Sequence, residues 1–135
     1  MSEQENRNFE NIQRVLSDTS SVQIALMTLT ITLQSAGIVG LYSVAEKFKN
    51  SREAIGLPLV MVVISFILGF VWLREHVMAE AFRKQLLKNF HVWEPEKSVW
   101  NGKTALMWKF IHGICILGWL TIFILAIFGC LAKVL

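Results

Sequence analysis

The sequence predicts an all-α integral membrane protein: three transmembrane helices, the second of which runs on into a cytoplasmic amphipathic extension. Three observations predict it. Of the 135 residues, 54% are hydrophobic and only 17% charged, against about 45–50% and about 25% in an ordinary soluble domain. The excess is gathered in three blocks free of Asp, Glu, Lys and Arg, at 19–45, 54–73 and 110–132. Each holds about 20 residues or more, the length at which a helix crosses a hydrocarbon core roughly 30 Å thick. In lipid every backbone N–H and C=O must be paired within its own segment, so these blocks read as helices. As core helices of a soluble domain they would leave too little polar chain to cover them.

In order, the elements are an N-terminal cytoplasmic amphipathic segment (1–20), a first span (21–45), a short outer loop (46–54) and a second span (55–73). A basic cytoplasmic helix and loop (74–109), a third span (110–132) and a short tail (133–135) follow. Residues 1–18 carry four acids and two bases, and no small-residue cleavage site follows a short apolar run. The first block therefore reads as a retained span, not a cleavable signal. Neither end carries a lipidation motif.

Charge sets the expected orientation. Arg7, Arg14, Arg74, Arg83, Lys84, Lys88, Lys97, Lys103 and Lys109 fall on one side of the three spans; Lys47, Lys49, Arg52 and Lys133 fall on the other. Nine bases against four place the N-terminus and the 74–109 segment in the cytoplasm. Trp72, Trp108 and Tyr42 stand near the ends of the apolar blocks, where membrane aromatics gather. Trp119 stands mid-span; its indole N–H needs a partner there, so it is expected to face protein.

The three spans differ in kind. At 100° per residue the first shows two polar faces. One runs Ser21, Ala25, Thr28, Thr32, Ser35, Val39, Ser43; the opposite one runs Gln23, Thr30, Gln34, Gly37. Ser and Thr hydroxyls can bond back to their own helix, but the Gln34 amide needs partners near mid-membrane. Three helices offer little interior, so Gln34 argues for self-association. The second span, rich in Val, Ile, Phe and Leu with Pro58 in its first turn, reads as lipid-facing over most of its surface, with Ser65 and Gly69 as one packing notch. On the third, Gly118, Ile122, Leu125 and Gly129 share a face that suggests close helix contact. Cys115 and Cys130 are fifteen residues apart, about 22 Å along a helix, too far to bridge within one chain.

No helix breaker follows the second span until after residue 89. Val77, Met78, Ala81, Phe82 and Leu86 fall on one side of the extension, which needs a partner for that apolar side. Beyond it, Pro95 and the Asn101-Gly102 pair mark a turn, and Trp93 and Trp100 stand among charges. With seven bases and four acids, residues 74–109 are net positive. Arg74, Arg83, Lys84 and Lys88 are the candidates to meet lipid headgroups or an anionic ligand such as a nucleotide.

Catalytic signatures are missing. There is no phosphate-binding glycine loop, no paired-cysteine metal motif and no nucleophile elbow. His76, His91 and His112 with Glu75 and Glu80 match no metal spacing, and no acid lies within a span. The sequence points away from an enzyme, a cofactor or a duplex nucleic acid as partner. The expected partners are membrane lipid and further copies of the chain.

The layout from Asn8 to Lys88, with Leu73-Arg74-Glu75-His76 opening the charged helix and Ala81-Phe82-Arg83-Lys84 continuing it, resembles the SLATT-type membrane proteins of bacterial conflict systems. In these a short N-terminal helix precedes a two-helix transmembrane hairpin and a charged cytoplasmic helix. The third span lies outside the resemblance, which fixes no functional residue. It implies a pore-forming antiviral defence effector that answers a nucleotide signal. The combined expectation is a small homo-oligomeric pore or channel. Thr28, Thr32, Gln34 and Ser35 would line or border it, Gly118 and Gly129 would pack, and the basic segment would gate it. The alternative is a non-conducting accessory or scaffold subunit of a larger membrane complex.

Overall fold

A computed structural model describes residues 2–47, 55–90 and 102–128. They form three helices, α1 (Glu3–Lys47), α2 (Gly56–Phe90) and α3 (Gly102–Ile127). Each contains a stretch long and apolar enough to cross a membrane, with mean hydropathy 1.7, 2.5 and 2.4 in turn. Residues 48–54, His91, Trp93, Pro95, Trp100, Asn101, Gly129 and Cys130, and the side chain of Leu86, lie outside the described residues.

Helix α1 opens on a reciprocal cap. The Glu5 N–H donates to Ser2 Oγ at 3.2 Å and the Ser2 N–H to Glu5 Oε2 at 2.6 Å, pairing two donors that a helix start leaves unmatched. Hydrogen bonding from the Ser2 backbone N–H, and after it from the Ser2 side chain, holds the Glu5 carboxyl below its ordinary range. Nothing between residues 3 and 47 interrupts the backbone ladder, so the N-terminal segment and the first apolar stretch are one helix. Its 45 residues span about 68 Å at 1.5 Å per residue. In α2, Pro58 lies in the first turn, where a missing N–H breaks no intrahelical bond. The helix then continues unbroken through residues 74–90.

The packed faces follow one rule. Buried or partly buried residues recur every three or four positions: Phe9, Ile12, Leu16, Thr19, Gln23, Leu26 and Thr30 in α1; Pro58, Met61, Ser65, Leu68, Trp72, His76, Ala79 and Arg83 in α2; Ala105, Trp108, His112, Ile116, Trp119, Ile122 and Ala126 in α3. This is the spacing of left-handed knobs-into-holes packing. α2 runs antiparallel to both neighbours and is the central helix, with 28% of its most apolar window buried against 17% in α1 and 11% in α3. Most of that window on α2 nonetheless stands unburied, outside a single seam. Its bulky Phe66, Ile67 and Phe70 do stand exposed, but Met61, Ser65, Leu68 and Trp72 serve as its seam.

Three apolar clusters mark levels along the bundle. At the end where α1 gives way to α2, Leu41, Met61, Trp119 and Ala126 pack together. Midway, Trp72, Ala105 and Trp108 pack with Leu26, Met27 and Ile111. At the far end, among the described residues, α1 and α2 meet through Leu16 and Ala79 with Phe9, Ile12 and Phe82. The extension packs on the N-terminal turns of α1, but not through the apolar side expected of it: of that side's described residues Phe82 alone is covered, and Val77, Met78 and Ala81 are exposed.

Candidate functional site

Within the apolar stretches the interior is more polar than the exterior. Gln23, Thr30, Ser65 and His112 are buried, whereas Ile31, Val39, Phe66, Phe70, Phe110 and Leu117 are each more than half exposed. The buried polar groups gather at two levels.

At the first level Gln34 joins all three helices. Its Nε2 donates to Ser65 Oγ on α2 at 2.8 Å, and its Oε1 accepts from Trp119 Nε1 on α3. Trp119 faces protein, as its indole requires. Gly37, one turn on, makes room: a Cβ there would meet Met61 Cε at 2.5 Å and Trp119 Cζ2 at 2.8 Å. Gln34 is thus satisfied inside one chain. Both the argument from its amide to self-association and its assignment to a conduit are corrected, because α3 supplies an interior that the hydropathy pattern does not reveal.

The second level holds four rings. Trp72 stacks on His76 at 5.3 Å with planes 6° apart, and lies 5.8 Å from His112, which in turn lies 6.1 Å from Trp108. Trp72 and Trp108 are 1% and 6% exposed, so they are core anchors and not headgroup-facing aromatics. Gln23 sits one turn from Leu26 and Met27, which pack on this cluster. It is fully buried, and among the described residues neither end of its amide has a hydrogen-bond partner; the same holds for His76 Nδ1 and His112 Nε2. His76 lies one turn beyond the apolar stretch, and burial, aided by the nearby Lys109 charge, pushes its pKa down. A signal for this level was present in the sequence as two Trp-x-x-x-His pairs, Trp72/His76 and Trp108/His112. That i, i+4 spacing puts each pair on one helix face.

The other predicted residues separate. Thr28, Thr32 and Ser35 are exposed, and each hydroxyl donates to its own helix, to the carbonyls of Ile24 (3.1 Å), Thr28 (2.9 Å) and Ile31 (2.8 Å). Gly118 is exposed with nothing within 4 Å of an added Cβ, so it packs no helix within this chain. Arg83 leaves the basic surface: it is 6% exposed and bonded to Glu80 at 2.8 Å, because its position falls on the seam facing α1. Arg74, Lys84 and Lys88 remain exposed on the opposite face of α2. Among the described residues no group of three or more His, Cys, Asp and Glu is placed to hold a metal ion.

Compared with models of protein families, with curated proteins and with solved structures, the chain matches none of them.

Proposed function

We propose that this chain is a multi-pass protein of the bacterial inner membrane, N-terminus in the cytoplasm, whose copies associate into a pore or channel. One observation carries the reading. Ser21, Ala25, Thr28, Thr32, Ser35, Val39 and Ser43 form an exposed stripe on α1, opposite the face that packs on α2. From Ser21 to Ser43 it runs about 33 Å, close to the thickness of a hydrocarbon core. The back-bonded hydroxyls keep an oxygen lone pair for water or for a neighbouring helix, and small side chains permit close approach. Around an axis, copies of this stripe would form a hydroxyl-lined conduit bordered by Thr28, Thr32 and Ser35. Arg74, Lys84 and Lys88 would present a cationic collar to headgroups or to an anionic effector such as a nucleotide. The SLATT-like layout supports a defence effector. No step of this function calls for catalysis.

The test is the mass of the purified protein in nanodiscs, followed by conductance in planar bilayers. Four or more copies are expected, with conductance abolished in a Thr32→Leu, Ser35→Leu double variant. A monomer or dimer, or unchanged conductance in that variant, would overturn the proposal. The alternative is a non-conducting accessory subunit, favoured by the open notch over Gly118 on α3. It would show itself as a monomer that retains a different protein through purification.

A further inference from the structure

Between α2 and α3 lies a groove of about 620 Å³, walled by Phe66, Gly69, Phe70 and Leu73 on one side and Gly113 and Ile116 on the other. Its volume is in the range of about 300–1,000 Å³ typical of ligand sites. Two glycines make it. An added Cβ at Gly113 would meet nothing within 4 Å, and one at Gly69 would lie 3.5 Å from His112 Cβ, so the helices meet at Gly69 and leave space beside Gly113. From Phe66 to Leu73 the wall runs about 10 Å along the helix axis.

Its chemistry is graded. The stretch from Phe66 to Phe70 and Ile116 is hydrocarbon. The other end holds Trp72, His112 and the exposed Lys109, and among the described residues no carboxylate lines it. His112 is 5% exposed, and its Nε2 has no hydrogen-bond partner among the described residues. Arg74 is exposed directly after the lining residue Leu73. An apolar trough with a cation and an indole at one mouth matches an amphiphile whose anionic head and hydrocarbon tail are about a helix turn or two apart.

We infer that this groove binds one acyl chain of an anionic phospholipid, with the phosphate held at Lys109. The inference rests on the membrane reading above. A lipid seated here would wedge between α2 and α3 against the His112 ring, next to the Trp72 stack, and would tie the bundle to membrane charge.

The experiment is native mass spectrometry of the full chain in detergent, titrated with phosphatidylglycerol and, separately, with phosphatidylcholine of the same acyl chains. Wild type should hold one phosphatidylglycerol per chain at least tenfold more tightly than phosphatidylcholine. Lys109→Gln, a surface change, should erase that preference, and Gly113→Leu, which fills the trough, should reduce both lipids. Equal affinity for the two lipids in wild type, unchanged selectivity in Lys109→Gln, or full lipid retention by a folded Gly113→Leu would each overturn the inference. So would a dimer that forms without lipid and excludes it. If Gly113→Leu fails to fold, the Lys109→Gln comparison decides. Extraction of the chain from membranes by carbonate would instead overturn the membrane reading; resistance to carbonate without lipid selectivity would overturn the groove alone.

Discussion

Gln34 and Gln23 are the same residue type on the same face of α1, eleven residues apart, yet their surroundings are opposite. At the level of Gln34, α2 offers a hydroxyl and α3 an indole N–H, and both ends of the amide are used. At the level of Gln23 the neighbouring cluster is built of Trp72, Ala105 and Trp108 with Leu26 and Met27, and neither amide end finds a hydrogen-bond partner among the described residues. A buried amide stabilises only when its bonds to water are replaced; otherwise its desolvation counts against the fold. The first level is an interlock. The second leaves the Gln23 amide buried with no hydrogen-bond partner among the described residues.

This difference can be broken directly. The largest effect is expected from Gln34→Leu, which leaves the Ser65 hydroxyl and the Trp119 N–H buried and unpaired. Each such group costs about 1–3 kcal/mol, although polar pairs within membranes average nearer 0.6 kcal/mol. A loss of about 2 kcal/mol is expected, read from reversible unfolding in mixed micelles, with a shift in Trp119 fluorescence. No loss would mean that the interlock contributes nothing.

Gln23→Leu should act with the opposite sign. Replacing an unpartnered buried amide by a hydrocarbon of similar size removes a desolvation penalty, so stability should be unchanged or raised by about 1 kcal/mol. Destabilisation by as much as Gln34→Leu would show that Gln23 has a partner after all and would erase the contrast.

The smallest effect concerns pH. Burial and Lys109 hold His76 below its ordinary value, with Arg83 acting in the same direction and Glu80 opposing. The folded state therefore prefers neutral imidazole. This contribution is full above the ordinary pKa of about 6.5 and is lost as pH falls through the lower folded value. Between about pH 7.5 and pH 5 the wild type should lose a little stability, and quenching of Trp72 by the stacked ring should change. A His76→Phe variant should show less of both; an identical pH response would place the titration elsewhere.

Much of the candidate site was legible in the residues, because chemistry limits where polar groups can go in an apolar helix. The two polar faces of α1, the need of Trp119 for a partner and the Ser65/Gly69 notch all follow from spacing and donor counting. The partners of Gln34 were not legible, because an acceptor on α2 and a donor on α3 lie 31 and 85 residues away. No local pattern encodes such distances. Arg83 misled for a related reason. Its charge suggests a surface, but its position seven residues after His76 and four after Ala79 puts it on the seam.

The sequence by itself determined that there are three long apolar helices and where they lie, since composition and length alone decide which segments can satisfy their backbones in hydrocarbon. It also determined that α1 carries polar groups on both sides. Only the tertiary structure decided which face is inside. In segments where nearly every residue is apolar, burial gains little from one choice of face over another. The inner face is chosen by the few groups that need or permit close contact: Gln34 with Ser65 and Trp119, Gly37 beneath Met61, and the Trp72–His112 rings.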